Sequence, residues 1–152
     1  MSHLIHSIDE RPISARELAG LTLGKKIGEG ASRDVYECSL NDKVVIKYEV
    51  RGKMFQNVME WNIWQEVKDT KYASWFAQCL DISPCGLFLV MEKISIPDKK
   101  MYPKKVPEFF TDLKYNNFGM VVKQLVAVDY GFPIIFKDND LKKKKKAEWW
   151  SE

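Results

Sequence analysis

One long helical repeat, set between short strand-like segments, is the feature that most constrains the fold. From Lys53 to Lys68, apolar residues recur at steps of three and four with no proline or glycine inside, which is typical of an amphipathic helix. Three strand-like segments around a glycine turn precede it, and Phe76–Leu80 and Leu87–Met91 follow it. The sequence therefore predicts an α+β fold, with five antiparallel strands and one main helix after the third strand.

Size and composition exclude several classes of protein. The chain has 152 residues, 45% of them hydrophobic, enough to bury a core as one compact domain or two small lobes. The net charge of +3 is modest, and the run Lys142 to Lys146 supplies much of the excess, so we expect no nucleic-acid partner. The three cysteines and two histidines have neither disulfide-framework nor zinc-ligand spacing. Without a membrane-length apolar run or a signal-peptide pattern, we expect a cytoplasmic protein that does not contact membranes.

Breaker residues and charge runs divide the chain into five parts. Ser14 and Glu17 fit a capping box, and Gly20 can end the short helix that it begins. After the strands and main helix comes a stretch rich in proline and lysine. The predicted parts are an N-terminal extension (1–20), the main lobe (21–94), a linker (95–111), a hairpin region (112–136) and a basic tail (137–152). Trp149 and Trp150 could fold back as an apolar anchor or reach a partner.

A carboxylate, an amide and a second carboxylate occur in the C-terminal third, at Asp112, Asn117 and Asp129. Strands at Phe118–Val121 and Leu125–Val128 would form a hairpin that puts Asn117 and Asp129 at neighbouring open ends. Their oxygens could hold one metal ion there. Taken alone, Asp112 to Asn117 is better explained as a turn, because Asp and Asn are common in loops.

Four signals occur in the order and approximate spacing of a protein kinase, and from about Leu21 to Gly131 the chain resembles a truncated, minimal member of that superfamily. Compact chains of this type also look similar to small proteins of bacteriophage origin. The resemblance implies a kinase-like N-lobe, with a minimal C-terminal part that carries a catalytic-loop hairpin. The four signals are the glycine turn Gly28 to Gly30, the strand Val44 to Lys47, the Asp112 to Asn117 stretch, and Asp129-Tyr130-Gly131.

The resemblance implies that ATP binds to the main lobe. Gly28 and Gly30 would let the turn approach the phosphates closely. Lys47 would contact the inner phosphates, held by Glu60, with Glu66 nearer the helix end as the alternative. Without these neighbours, Lys47 would be taken for a strand lysine that reaches water. Adenine would meet the strand that enters the kinase hinge, at Met91, Glu92 and Ile94.

The same resemblance assigns the transfer chemistry to the C-terminal part. Asp112 would be the base or orienting carboxylate for the acceptor, and Lys114 would steady the transferring phosphate. Asn117 and Asp129 would bind Mg²⁺.

The chain departs from the kinase pattern in three places. Arg33 replaces the third glycine of the phosphate loop, Phe110-Thr111 stands where kinases carry His-Arg, and too few residues follow Gly131 for a large helical lobe. Two hypotheses therefore stay open. One is a minimal Mg²⁺-ATP-dependent phosphotransferase that acts on protein Ser/Thr, on itself, or on a small molecule. The other is a pseudokinase-type binding module that regulates a host or cellular protein without phosphoryl transfer.

Overall fold

The main lobe is a five-stranded antiparallel sheet with one α-helix, and the predicted α+β class is confirmed. The computed structural model describes residues 23–51, 54–131, 134, 136, 137 and 141–152. The helix predicted at Ser14 to Gly20 lies outside these residues. In the order β1-β2-β3-β5-β4, the sheet contains β1 (Leu23–Glu29), β2 (Arg33–Cys38), β3 (Asn41–Glu49), β4 (Cys79–Ile82) and β5 (Phe88–Glu92).

The central strand β3 is buried from Val44 to Lys47, as β-branched residues between two neighbouring strands favour. Its register with β2 and β5 fixes one row across the sheet. Lys47 lies opposite Val35 on one side and Leu89 on the other, and Val35 lies opposite Gly28. Because directly opposed residues share a face, Lys47 and the glycine turn lie on the same side of the sheet.

The helix α1 (Gln56–Val67) begins later than the sequence predicted. Phe55 precedes it in the left-handed region, with φ of 53°, and supplies no side-chain cap. The carboxylate of Glu49 on β3 instead accepts hydrogen bonds from the backbone N–H of Gln56 at 3.1 Å and of Asn57 at 3.4 Å. A distant side chain thus satisfies free amides at the helix start, which local sequence cannot reveal.

The strand predicted at Phe76–Leu80 is shorter in the structure and forms three residues later, as β4 (Cys79–Ile82). Phe76 forms a parallel bridge with Ala127, and Ala77 N–H donates to the Ala127 carbonyl at 2.8 Å, so this segment pairs with the hairpin rather than with the sheet. The hairpin itself consists of β7 (Phe118–Val121) and β8 (Gln124–Ala127). Strand β8 ends before Val128, whose N–H turns to the Asn117 carbonyl at 2.8 Å.

The lysine run forms a strand instead of a free tail. Strand β9 (Lys144–Lys146) pairs with β6 (Lys105–Pro107), which lies inside the stretch predicted as a linker. The indole N–H of Trp149 donates to the Pro103 carbonyl at 2.8 Å. The ring of Trp149 stacks on Tyr115 with centroids 5.5 Å apart. This part of the chain folds back, and Trp149 anchors it.

An aromatic core joins the sheet, the helix and the hairpin. Phe110 lies 5.7 Å from Phe76 and 4.9 Å from Phe118 between ring centroids, and Phe76 meets Tyr130 edge to face at 5.0 Å. The segment with Asp129 is therefore held from below by packed rings, since aromatic pairs of this geometry stabilise beyond their area alone. Across the described residues, the structure has no helix of the length and apolarity that a membrane crossing requires.

Candidate functional site

A buried ion pair joins the central strand to the helix. The ammonium of Lys47 donates to both carboxylate oxygens of Glu60, at 3.1 and 2.9 Å. Glu60 is 0% exposed, whereas Glu66, the alternative partner, lies on the solvent side of α1. The lysine and the glutamate that the kinase resemblance pairs are therefore in contact.

Charge, not burial, sets the ionisation of Glu60. Burial alone would raise the pKa of this carboxyl, but Lys47 and Arg33 outweigh it and hold the pKa well below its usual value. Oε1 of Glu60 also accepts the backbone N–H of Tyr130 at 2.9 Å. A carboxylate with this many donors stays charged and fixes the groups around it.

Arg33 contributes a second buried cation to the same carboxylate. Its two terminal nitrogens donate to Glu60 at 2.9 and 2.8 Å, and one of them also donates to Asn57 Oδ1 at 3.1 Å. The other donates to Asp129 Oδ1 at 2.8 Å. Burial would lower the pKa of Arg33, but Glu60 and Asp129 raise it above its ordinary value, so the guanidinium stays charged. The residue in place of the third glycine thus links the helix to Asp129.

Lys47 reaches the same segment through the backbone. Its ammonium donates to the carbonyl of Val128, the residue before Asp129. The amides of Val128 and Asp129 both donate to the Asn117 carbonyl, at 2.8 and 3.2 Å. Strand, helix and both ends of the hairpin therefore meet around Asp129, which keeps 41% side-chain exposure.

Both predicted Mg²⁺ ligands are engaged by other side chains. One oxygen of Asp129 is held by a guanidinium, and the amide N–H of Asn117 donates to Asp112 Oδ2 at 3.0 Å. Within residues 23–51 and 54–131 and the later described segments, no three His, Cys, Asp or Glu side chains form a group that could hold a metal ion. We derive no chemical step through a metal here.

The predicted catalytic residues, Asp112 and Lys114, contact the end of the described chain. Asp112 Oδ1 accepts the indole N–H of Trp150 at 3.2 Å, and Lys114 pairs with Glu152 at 2.6 Å. The Lys114 ammonium also lies 5.3 Å from the Trp150 ring centroid. Main-chain hydrogen bonds support these contacts, from Trp150 N–H to Leu113 at 3.1 Å and from Tyr115 N–H to Trp150 at 3.0 Å. Asp112 and Lys114 therefore both have tail side chains as partners.

The glycine turn is closed by its own hydrogen bonds. Gly30 N–H donates to the Arg33 carbonyl at 2.7 Å, and the Gly30 carbonyl accepts from Arg51 at 2.8 Å. Gly28 faces Val35, and a Cβ there would approach the Val35 Cβ to 3.3 Å, tighter than most real contacts. A side chain at 28 would thus require Val35 to shift by a few tenths of an ångström, and the N–H of Gly30 already has a partner.

Two cavities border the predicted site residues. A space of about 20 Å³ lies between Asp112 and Asp129, with Phe110 and Tyr130 in its wall, which is room for about one water molecule. A larger cavity of about 440 Å³ is lined by residues at the start of β3 and by the predicted hinge residues Glu92 and Ile94. Met91, on strand β5, is buried. The carboxylate of Glu92 accepts the backbone N–H of Gln78 at 2.8 Å.

Sequence reasoning missed three contributors to this region. Asn57 is 0% exposed, and its amide donates to the carbonyls of Lys47, Gly86 and Leu87 at 3.1, 3.0 and 2.9 Å. Arg33 was noticed only as a missing glycine, and Trp150 only as a possible anchor. The available signal was a polar residue, Asn57, on the same helix face as Glu60, Trp64 and Val67.

Comparison with known proteins yields a similarity to a solved structure over part of the chain. No protein-family model matches the chain, and no curated protein does. It is similar to a solved structure of the aminoglycoside phosphotransferase APH(2'')-IIa, a protein with a kinase-like fold, in a ternary complex with streptomycin and ATP. The identity is 16% and the TM-score 0.42, over 57% of this chain and 30% of that chain. The chain thus spans less than a third of that structure, and its chemistry has to be inferred from its own side chains.

Proposed function

We propose that this chain binds ATP and transfers its terminal phosphoryl group to a hydroxyl, on a protein serine or threonine or on itself. The observation that supports this most directly is the buried Lys47–Glu60 pair beside Asp129. In protein kinases, the strand lysine has to pair with the helix glutamate, and the aspartate that follows the hairpin has to hold Mg²⁺. Here the lysine–glutamate pair is formed, and Asp129 lies beside it.

Each residue has a distinct part in the proposed reaction. Lys47 binds the inner phosphates under the turn with Gly28 and Gly30, and the base lies against Met91, Glu92 and Ile94. Asp112 orients the acceptor hydroxyl and takes its proton, while Lys114 steadies the transferred phosphoryl group. The acceptor has to displace the Trp150 indole, which occupies Asp112 Oδ1 at 3.2 Å. A cytoplasmic location and a bacteriophage origin remain predictions.

A pseudokinase-type binding module is the second candidate, and the tail contacts favour it. Trp150 and Glu152 engage the two residues that transfer would need, Asp112 and Lys114. A protein held in this arrangement would bind nucleotide or a partner protein without transferring phosphate.

Nucleotide binding is tested by unfolding with and without ATP. At 100 times its dissociation constant, ATP should stabilise the wild type by about 2.7 kcal/mol. Lys47→Met should lose this stabilisation, whereas Lys25→Met, an exposed lysine on β1, should keep it. Because Lys47 is buried, Lys47→Arg keeps a cation and separates lost binding from lost folding. A wild type that ATP does not stabilise would rule out the proposal.

Transfer is tested with radiolabelled ATP, by counting label on the chain and on lysate proteins. Asp112→Ala and Asp129→Asn should each lower incorporation at least tenfold relative to wild type. Equal label on all three proteins would contradict phosphoryl transfer by this site. Stabilisation by ATP without any incorporation would favour the binding module.

A further inference from the structure

Arg33 occupies the position at which a cation would otherwise neutralise Asp129. Its guanidinium lies 2.8 Å from Asp129 Oδ1 and is itself only 4% exposed. Both terminal nitrogens are fully used, because one donates to Asn57 and Glu60 and the other to Glu60 and Asp129. The guanidinium is therefore held by four side-chain hydrogen bonds.

The salt bridges around Asp129 connect two carboxylates, Glu60 and Asp129, with two cations, Arg33 and Lys47, in one network. A divalent ion in a phosphate site normally neutralises the carboxylate, which would otherwise repel the triphosphate. Here that repulsion is offset by a group that cannot lose its proton.

A metal ion would also meet direct repulsion from the guanidinium. Mg²⁺ binds carboxylate oxygen at about 2.1 Å, so at Oδ1 it would lie within a few ångströms of a fixed positive charge. The side-chain amide nitrogen of Asn117, the other predicted ligand, donates to Asp112 Oδ2 at 3.0 Å, which orients that amide toward Asp112. A ligand can reach Asp129, which is 41% exposed, but it meets the carboxylate with the guanidinium attached.

We infer that Arg33 is the resident cation of this site and that it takes the place of a divalent metal ion, so that nucleotide binds with an affinity independent of Mg²⁺. The nucleotide part of this inference rests on the proposed function. The exclusion of a divalent ion from Asp129 does not, and it can be measured on the protein alone.

The first experiment compares ATP dissociation constants, by calorimetry, in Mg²⁺ and in EDTA. The wild type should differ by less than about threefold between the two conditions, while Arg33→Gly should bind at least tenfold more tightly with Mg²⁺. Arg33→Lys keeps a cation, folds more readily, and should show an intermediate ratio. Lys25→Met is the control, because Lys25 is an exposed cation on β1. For this variant, the ratio of the ATP dissociation constants in EDTA and in Mg²⁺ should equal that of the wild type.

The second experiment titrates Mn²⁺ into the protein without nucleotide and follows its electron paramagnetic resonance signal. The wild type should leave the signal of free Mn²⁺ unchanged. The inference is overturned if the wild type binds Mn²⁺ and Asp129→Asn abolishes that binding, or if Mg²⁺ tightens wild-type ATP binding tenfold. If ATP binds under no condition, the proposed function fails, and the Mn²⁺ titration still decides whether Arg33 excludes the metal.

Discussion

The two ends of the candidate site use similar charges in opposite surroundings. At one end, Glu60 holds Arg33 and Lys47 with its side chain fully buried. At the other, Lys114 holds Glu152, whose side chain is 80% exposed, and Asp112 holds the indole of Trp150, which is 43% exposed. The distances are alike, at 2.8–2.9 Å for the buried pairs and 2.6 Å for the exposed pair, so distance alone does not rank them.

Surroundings decide what each end can do. Buried charges interact strongly, and removal of one partner leaves the others without water or counter-charge. Exposed pairs are weak because water and salt compete for both partners. We therefore expect the network under the sheet to be a fixed part of the fold. The tail contacts with Asp112 and Lys114 should be readily exchanged for another ligand.

The largest effect should follow replacement of Glu60. Glu60→Gln removes the charge that Arg33 and Lys47 share and leaves two buried cations with only Asp129 between them. We expect the free energy of unfolding to fall by about 3–5 kcal/mol. Urea denaturation measures it.

Glu66→Gln is the matched control on the same helix. Glu66 is exposed, so this change should alter the free energy of unfolding by no more than about 0.5 kcal/mol. Similar losses for the two variants would mean that burial does not distinguish the two ends.

A smaller effect should appear on acidification. The cations hold the pKa of Glu60 below its usual value, so the unfolded chain takes up this proton first, near pH 4.3. The contribution of Glu60 is fully present above that pH and is lost as the pH falls toward the folded pKa. For this one proton, stability should decline by up to about 1.4 kcal/mol per pH unit.

Urea titrations of wild type, Glu60→Gln and Glu66→Gln at pH 7 and pH 3 test this. The difference in the free energy of unfolding between wild type and Glu60→Gln should be smaller at pH 3 than at pH 7. Glu66→Gln should show the same free energy as the wild type at both pH values. Asp34, whose pKa its hydrogen bond to Arg51 lowers, titrates in all three proteins and cancels from the difference. If this difference were the same at both pH values, the charge of Glu60 would not be what stabilises the fold.

Local patterns predicted the parts of this molecule that depend on neighbouring residues. The helical repeat places Asn57, Glu60, Trp64 and Val67 on one buried face, and the β-branched run places Lys47 in a central strand. Lys47 and Glu60 come into contact once the helix packs on the sheet. The hairpin was also predicted within one residue at β8, since breakers and alternation act over short distances.

Contacts between distant segments could not be predicted in the same way. Arg33 and Asp129 are 96 positions apart, and Asp112 and Trp150 are 38 apart. No periodicity links such residues, so only the assembled fold brings them together. The lysine run looked like a solvated tail because its composition hides the backbone pairing of β9 with β6.

The smallest effect, and the finest test of the comparison, is salt dependence at the exposed end. Glu152→Gln breaks the pair with Lys114 at 2.6 Å, and at low salt we expect a loss of about 0.5 kcal/mol or less. In about 1 M salt the screening length falls to about 3 Å, so the difference from wild type should vanish. Glu60→Gln, measured beside it, should keep most of its loss because water and ions do not reach the buried network. If Glu152→Gln lowered the free energy of unfolding as much in high salt as in low salt, the contact between the tail and Lys114 would be as strong as the one between Arg33 and Asp129. The two ends would then differ in exposure but not in strength, and Asp112 would be closed to any acceptor.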